Sequence, residues 1–422
     1  MRAAEKLASA GGIGLLVVLG AVTGPDVWVF TLDWLSRPLV VFEGSVSVVV
    51  LTLIIGVTGI VVLKDVWSGV DHARVNRGPE ITAVVPAYRD AEVVDIAVES
   101  LVESDYEDVS IAVATEPDDP ETQAAAEELS RRHPEVEVHV NADPGSKGKA
   151  VNHVVEETDS DYYAVFDADE RVSPEFLSIA MGALLDGADV FQGRRVPRAT
   201  GAVETLAYCE RLAVHMGYAF GELVGFTNCL SASTAFKREA FEEVGGYRDR
   251  LTEDLEFAHS CYRAGLDVRQ DRATTNTMEA PHSLKDLWGQ RKRWRIGHVQ
   301  VFNARLTEAL EGNIEPREVG AVSRASGAIV GGALLLVGLA QVAALVSHGS
   351  WAAFAIPFGA AWLVVAAVWA KDARDGRIGR PYWTVVLLPL VYLGHGALTV
   401  KSLMEYYLTW EGEWYQVSKT GA

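Results

Sequence analysis

The stretch "YYAVFDADE", residues 162–170, runs through five mostly apolar residues and then stops at two carboxylates one residue apart, Asp167 and Asp169. A short apolar run bounded by polar residues reads as a strand buried on both faces. Two carboxylates at its end make either an acidic loop of no account or a cation site. The chain carries 57 Asp and Glu residues, so an Asp-x-Asp triplet arises easily by chance. Its place just after a buried strand gives this one weight. Neighbouring carboxylates repel each other when desolvated, and the pair is expected to stay ionised only with a divalent ion between it and a phosphate. Hard oxygen ligands suit Mg2+ or Mn2+, and Mg2+ is commonly shared between protein carboxylates and substrate phosphates. A nucleoside diphosphate is the natural partner.

Upstream, strands and helices alternate. "ITAVVPAY" (Ile81–Tyr88) and "VSIAVATE" (Val109–Glu116) read as buried strands, and "EVEVHVN" (Glu135–Asn141) as a third. Helical spacing follows each, over residues 90–104, 121–132 and 149–157. This predicts an α/β domain with a mostly parallel, Rossmann-like sheet covered on both faces. Ligands of such sheets bind beyond the carboxyl ends of the strands, which is where Asp167 and Asp169 stand.

The 422 residues are 49% hydrophobic with a net charge of -20. Broad nucleic-acid binding is not expected, because phosphate contacts need clustered Lys and Arg. Short acidic clusters such as "EPDDPE" and "EETDSD" fit a halophilic archaeon, whose salty cytoplasm favours acidic surfaces; an ordinary acidic protein is the alternative. Three cysteines, Cys209, Cys229 and Cys261, without a CxxC pair argue for reduced, buried thiols rather than a disulfide framework or a zinc site.

Several runs approach the 20 or so residues that a bilayer span needs. They are Ser45–Leu63, Ala325–Val346, Trp351–Ala370 and Tyr382–Val400, with a fifth, Gly11–Leu32, interrupted at Gly24–Asp26. The fifth is read as a retained helix rather than a cleaved signal peptide. Lys64, Arg74 and Arg77 follow the second span, and Lys371, Arg374, Arg377 and Arg380 separate the last two. By the positive-inside rule residues 64–324 and 371–381 face the cytoplasm of a multi-pass plasma-membrane protein, with the C-terminus outside. The expected organisation is a membrane region over 1–70, a catalytic domain over 71–280, interfacial helices over 281–324, three further membrane helices over 325–400 and a tail over 401–422.

Three more motifs carry chemistry. "GSKGKAVNH" (Gly145–His153) is a Gly-rich turn into a helix, a place that favours anions. "LTEDLEF" (Leu251–Phe257) sets Glu253 and Asp254 at a helix start, where the dipole stabilises them and where Asp254 could take a proton from an attacking hydroxyl. "QRKRW" (Gln290–Trp294) reads as an amphipathic interfacial segment; Arg293 could also pair with a diphosphate and Trp294 stack on a sugar.

Taken in order, "VVPAY", a carboxylate after the second strand, "KGKA", "DAD", "GGY", "TED" and "QRKRW" resemble the membrane-embedded family 2 glycosyltransferases, similar to cellulose, chitin and hyaluronan synthases. The resemblance covers about residues 79–305 and implies a GT-A-type domain. It further implies that Asp167 and Asp169 hold Mg2+ or Mn2+ on the diphosphate of a sugar nucleotide, with Asp167 also near the nucleoside. Asp254 would be the general base with Glu253 beside the acceptor. Gln290, Arg293 and Trp294 would clamp the diphosphate and the acceptor end. Pro86, Ala87 and Tyr88 would border the base, and Lys149 would sit in the nucleotide pocket. The family carries Asp after the second strand where this chain has Glu116. A UDP-sugar is the expected donor, and a lipid-linked or growing glycan the acceptor. The gating motif of processive synthases does not follow "QRKRW", which favours limited transfer over polymer synthesis. A nucleotide-binding membrane scaffold without catalysis is the remote alternative, and a transporter is disfavoured because no charge within the spans marks a substrate path.

Overall fold

The computed structural model describes residues 2–32, 37–69, 73–311, 316–412 and 415. Much of the tail read from the sequence, including Trp414 and Lys419, lies outside them. The chain opens with helix α1 (Arg2–Thr23), a hairpin of strands β1 (Val27–Leu32) and β2 (Arg37–Phe42), and helix α2 (Glu43–Ser68). The expected span over 11–32 is thus corrected. The helix begins at Arg2 and ends at Thr23, because Pro25 lacks the N–H a continuing helix needs, and 27–32 is a strand.

The alternation read from the sequence then follows. Strands β3 (Ile81–Ala87), β4 (Val109–Thr115), β5 (Val136–Val140) and β6 (Tyr162–Val165) pair in parallel in the order β5-β4-β3-β6. Helices α3 (Val94–Val102), α4 (Pro120–Arg132) and α5 (Lys147–Glu157) connect them. Helix α4 has Pro120 at its first turn, and the Asp119 carboxylate accepts the Thr122 N–H, a regular N-cap. Beyond β6 come α6 (Phe176–Leu185), β7 (Val190–Pro197), α7 (Ala202–Leu223), β8 (Thr234–Lys237), α8 (Arg238–Glu243), α9 (Glu253–Ala264) and β9 (Val268–Met278). Strand β8 pairs antiparallel with both β6 and β7, and β7 pairs parallel with β9. The seven-stranded sheet is mixed but mostly parallel, in the order β5-β4-β3-β6-β8-β7-β9.

Apolar side chains fill both faces of this sheet. On one side Val85, Ile111, Phe166, Phe176 and Phe191 pack with α3 and α6; on the other Val84, Tyr163 and Phe236 meet α5 and α9. Cys209, Cys229 and Cys261 are buried free thiols.

Four long helices complete the chain: α10 (Leu284–Glu311), α11 (Pro316–Ser347), α12 (Ala352–Arg374) and α13 (Leu388–Leu408). By length and composition α1, α2, α11, α12 and the segment Trp383–Leu408 could each cross a membrane. Helix α7 presents Tyr208, Leu212 and Met216 to Val62 and Val66 of α2 and to Val365 and Val368 of α12. This apolar seam fixes the sheet domain against the helices. The segment Trp383–Leu408, a short 3-10 turn (Trp383–Leu387) followed by α13, is bonded to α7 at its start and to α10 at its end. Thr384 Oγ1 donates to the Ala202 carbonyl of α7 at 2.7 Å, while Lys292 Nζ and Tyr407 OH link α10 to the far end through Glu405 and Asn303, each at 2.7 Å.

Candidate active site

The strand ends, the start of α9 and the middle of α10 surround a cavity of 1720 Å3. Pro86, Ala87 and Tyr88 enter it from the end of β3, and Glu116 from the end of β4. Asp167 and Asp169 follow β6, Glu253 and Asp254 begin α9, and Gln290, Arg293 and Trp294 face it from α10. The structure therefore gathers every residue singled out in the sequence except Lys149.

Lys149 points elsewhere: its Nζ lies 3.1 Å from Asp143 and 3.9 Å from Asp249. Lys147 lines the cavity in its place. The reason is helical geometry. Ser146 caps α5 by accepting the Lys149 N–H, and residues two apart on the helix so begun point about 200° apart, so only one of the two lysines faces the strand ends.

Asp167 is where the electrostatic expectation from the sequence needs correction. Its two carboxylate oxygens are ion-paired with Lys147 Nζ and Arg195 Nη2. The side chains of the protein itself therefore compensate this charge, and a divalent ion is not the sole means of keeping it ionised. Arg195 comes from β7, and nothing in the sequence near it signals a site. Glu170, fully buried behind the pair, accepts from Ser233 Oγ and from Asn276 Nδ2, the latter at 2.8 Å; burial raises its pKa although Arg195 opposes the shift. Asp169, also buried, accepts the Glu279 N–H at 3.0 Å.

The donor set fits a hard cation. Two carboxylates line one cavity beside Lys147, Arg195 and Arg293. Among the described residues no group of three or more His, Cys, Asp or Glu side chains forms a metal cage. A cation held by two carboxylates would take its remaining ligands from substrate oxygens and water, the usual habit of Mg2+.

Asp254 sits in the first turn of α9, where the Leu255 N–H donates to its Oδ1 at 2.7 Å. Burial, and then the neighbouring Glu253 charge, push its pKa up to about 6, against the opposing pull of the Leu255 N–H, Lys147 and Arg293. A carboxyl poised there is a strong candidate for general base. Glu253 is anchored by Ser231 Oγ, which donates to it at 2.7 Å. The protonated acid cannot accept a proton, so activity should climb as pH rises through about 6. A pH profile of kcat/KM flat from pH 5 to 8 would remove Asp254 from that role.

Arg293 lies within electrostatic reach of Glu253, Asp254 and Asp167 together, although burial is the largest influence on it and lowers its pKa. It thus stands between the base and the acidic strand end. Its neighbours stiffen the motif: the Arg291 guanidinium lies 4.1 Å from the Trp294 ring centre and bonds Glu210 of α7. Glu116, the departure from the family pattern, lines the cavity and accepts the Asn141 Nδ2–H at 2.9 Å.

The model of the glycosyltransferase-like family 2 matches residues 79–297, just over half of the chain. The chain belongs to that family. Its curated relatives include a probable glycosyltransferase, YdaM, of Bacillus subtilis, 25% identical over 53% of this chain and 56% of that protein. Another is the poly-beta-1,6-N-acetyl-D-glucosamine synthase of Staphylococcus aureus, 22% identical over 53% of this chain and 55% of the synthase. The chain spans about half the length of the curated relatives it matches. Among solved structures, the mannosyltransferase PcManGT from Pyrobaculum calidifontis, in complex with GDP-Man and Mn2+, superposes with a TM-score of 0.54 at 18% identity, covering 85% of this chain and 99% of that one. That likeness extends the shared fold beyond the family 2 domain. This family 2 glycosyltransferase therefore pairs a GT-A-like sheet with several apolar helices long enough to span a membrane.

Proposed function

We propose that this protein is a membrane-bound, inverting glycosyltransferase that moves a sugar from a nucleotide-diphosphate donor, a UDP-sugar by expectation, to a lipid-linked or growing glycan acceptor. The observation that carries the reading is one cavity joining Asp167 and Asp169, Arg293 and Asp254.

The donor's base lies against Pro86, Ala87 and Tyr88, with Glu116 at its edge. Its diphosphate meets Lys147, Arg195 and Arg293. Asp167 and Asp169 hold Mg2+ or Mn2+, which when bound supplies positive charge for the departing diphosphate. Asp254 takes the proton from the acceptor hydroxyl as that oxygen attacks the anomeric carbon, and Glu253 orients the acceptor. Displacement from the face opposite the leaving group inverts the anomeric centre. The cations already in place around the diphosphate stabilise developing charge without reorganising, the main source of catalysis in such sites.

In this reading α1, α2, α11 and α12 cross the plasma membrane and the sheet domain is cytoplasmic. The segment Trp383–Leu408, bonded at its start to α7 and at its end to α10, lies along the same face of the membrane instead of crossing it. The C-terminus then falls on the catalytic side, contrary to the parity expected from five spans. A cysteine placed at Thr409 should react with an impermeant maleimide only in inside-out vesicles. Labelling in right-side-out vesicles would restore the fifth crossing.

A panel of UDP- and GDP-sugars incubated with membranes containing the protein, with product masses measured, tests the activity. A single-sugar increment on a lipid extract is expected, abolished by EDTA and restored by Mn2+ or Mg2+. A polymer ladder would make the protein a processive synthase. No transfer from any donor, or transfer indifferent to EDTA, would defeat the reading.

A further inference from the structure

The cavity does not end at Asp254. It continues between α7 and α11, past Phe220 and Val224 on one wall and Gly327, Ala328 and Gly331 on the other. A Cβ added at Gly327 or Gly331 would meet no atom within 4 Å, so bare helix backbone borders open space there. This largely apolar arm, with Ser323 and Arg324 also on its α11 wall, belongs to the same cavity as the polar donor end.

Arg211 of α7 also lines the cavity, and it is 4% exposed. Among the described residues no carboxylate lies within 4.0 Å of its guanidinium, and its Nε has no hydrogen-bond partner. Its contacts are soft: Met278 Sδ at 4.0 Å and the Trp294 ring centre at 5.1 Å. Neighbouring arginines are committed. Arg195 pairs with Asp167, Arg291 with Glu210, and Arg324 donates to the Tyr262 hydroxyl and the Val224 carbonyl. Burial pulls the Arg211 pKa down to about 10, so the group stays charged at neutral pH. The nearby Glu210 charge acts on Arg211 from a distance but is bonded to Arg291 instead; a buried cation without a direct ion pair is costly to maintain, and an anion entering the cavity would satisfy it. Tyr218, two turns along α7, feels the charges of both Arg211 and Asp254. An anion at Arg211 would therefore sit close to the general base.

We propose that Arg211 binds the phosphate of a lipid phosphate, whose apolar chain occupies the arm between α7 and α11 and whose attached sugar presents its hydroxyl to Asp254. This deepens the glycosyltransferase reading and rests on it. The acceptor oxygen bonds to the anomeric carbon, the bond from that carbon to the donor phosphate oxygen breaks, the proton passes to Asp254, and the nucleoside diphosphate leaves. The phosphate at Arg211 is a handle and takes no part in bond exchange.

Native mass spectrometry of the full chain in detergent, offered a polyprenyl phosphate or the neutral polyprenol of equal length, tests this directly. Wild type should retain the phosphate in preference to the alcohol. Arg211→Met should lose about ten- to a hundredfold of that preference, the worth of one charge-assisted hydrogen bond, and Arg211→Lys should recover part of it. Gly331→Leu should expel both lipids. In each variant Mn2+-dependent binding of UDP and GDP should stay at the wild-type level, which also reports that the fold is intact. Equal retention of phosphate and alcohol by wild type, an unchanged preference in Arg211→Met, or loss of nucleotide binding in that variant would each overturn the proposal; the last would assign Arg211 to the donor diphosphate. Sugar transfer failing with every donor while the lipid preference stands would instead strike at the catalytic reading.

Discussion

Replacing Asp254 with Asn is expected to lower kcat by about a hundred- to ten-thousand-fold, the range for loss of a positioned general base, while Mn2+-dependent nucleotide binding is retained. The asparagine keeps the size and the position at the start of α9 but cannot accept the proton. Because the native carboxyl is pushed up to about 6 by burial and by Glu253, the residual rate of the variant should also lose its rise through that pH. Those two readouts move together only if Asp254 handles the proton. A variant with normal turnover would leave the family 2 fold standing and take away the inverting mechanism. Glu253→Gln should behave differently, because Glu253 is held by Ser231 and, in the proposed function, orients the acceptor: its main effect should fall on the acceptor KM.

Asp372→Ala should cost about 3–5 kcal/mol of stability, the usual penalty for stripping one partner from a buried ion pair. Arg194 of β7 is 1% exposed and donates to Asp372 of α12 through both terminal guanidinium nitrogens, the Nη1 bond being 2.9 Å. Tyr208 of α7 donates to the same carboxylate at 2.7 Å. Strand β7, helix α7 and the apolar helix α12 thus meet at one buried charge. Thermal unfolding in detergent should show the loss. The double variant Arg194→Met, Asp372→Leu should restore much of it, because apolar replacement of a whole buried pair is often neutral. A single variant within about 0.5 kcal/mol of wild type would class the contact with ordinary surface changes.

The half of the sheet from β3 to β6 was legible because each strand is a short apolar run followed by helical spacing, so local pattern and fold agree. The half from β7 to β9 was not. Strand β7, "VFQGRRVP", is wholly buried yet carries two arginines, whose charges are answered by Asp372 and Asp167 from distant parts of the chain. Such pairing is tertiary and leaves no periodic trace. The same holds for the site. Asp167, Asp169, Asp254 and Arg293 were visible through their motifs, and all line the cavity. Lys147 and Lys149 could not be told apart without the phase of α5, and Arg195, Glu170 and Arg211 carried no local signal. The last apolar segment was legible as one long enough to span a membrane, but its contacts with α7 and α10 were not, because they depend on Thr384, Glu405 and Tyr407 meeting partners far away in sequence.

Lys147 and Arg195 on Asp167 also bear on the order in which ligands arrive. A free divalent ion must displace two tethered ammonium and guanidinium groups to gain one carboxylate, an unfavourable exchange by itself. A nucleotide brings the phosphate oxygens onto which those same groups can swing, and so releases the carboxylate in the same act. Metal and nucleotide should accordingly bind as one cooperative unit, with Mn2+ affinity low alone and sharply raised by UDP or GDP. If the proposed metal and nucleotide bind at Asp167, their departure after turnover would let the two side chains close back onto it, resetting the protein without leaving a bare charge behind.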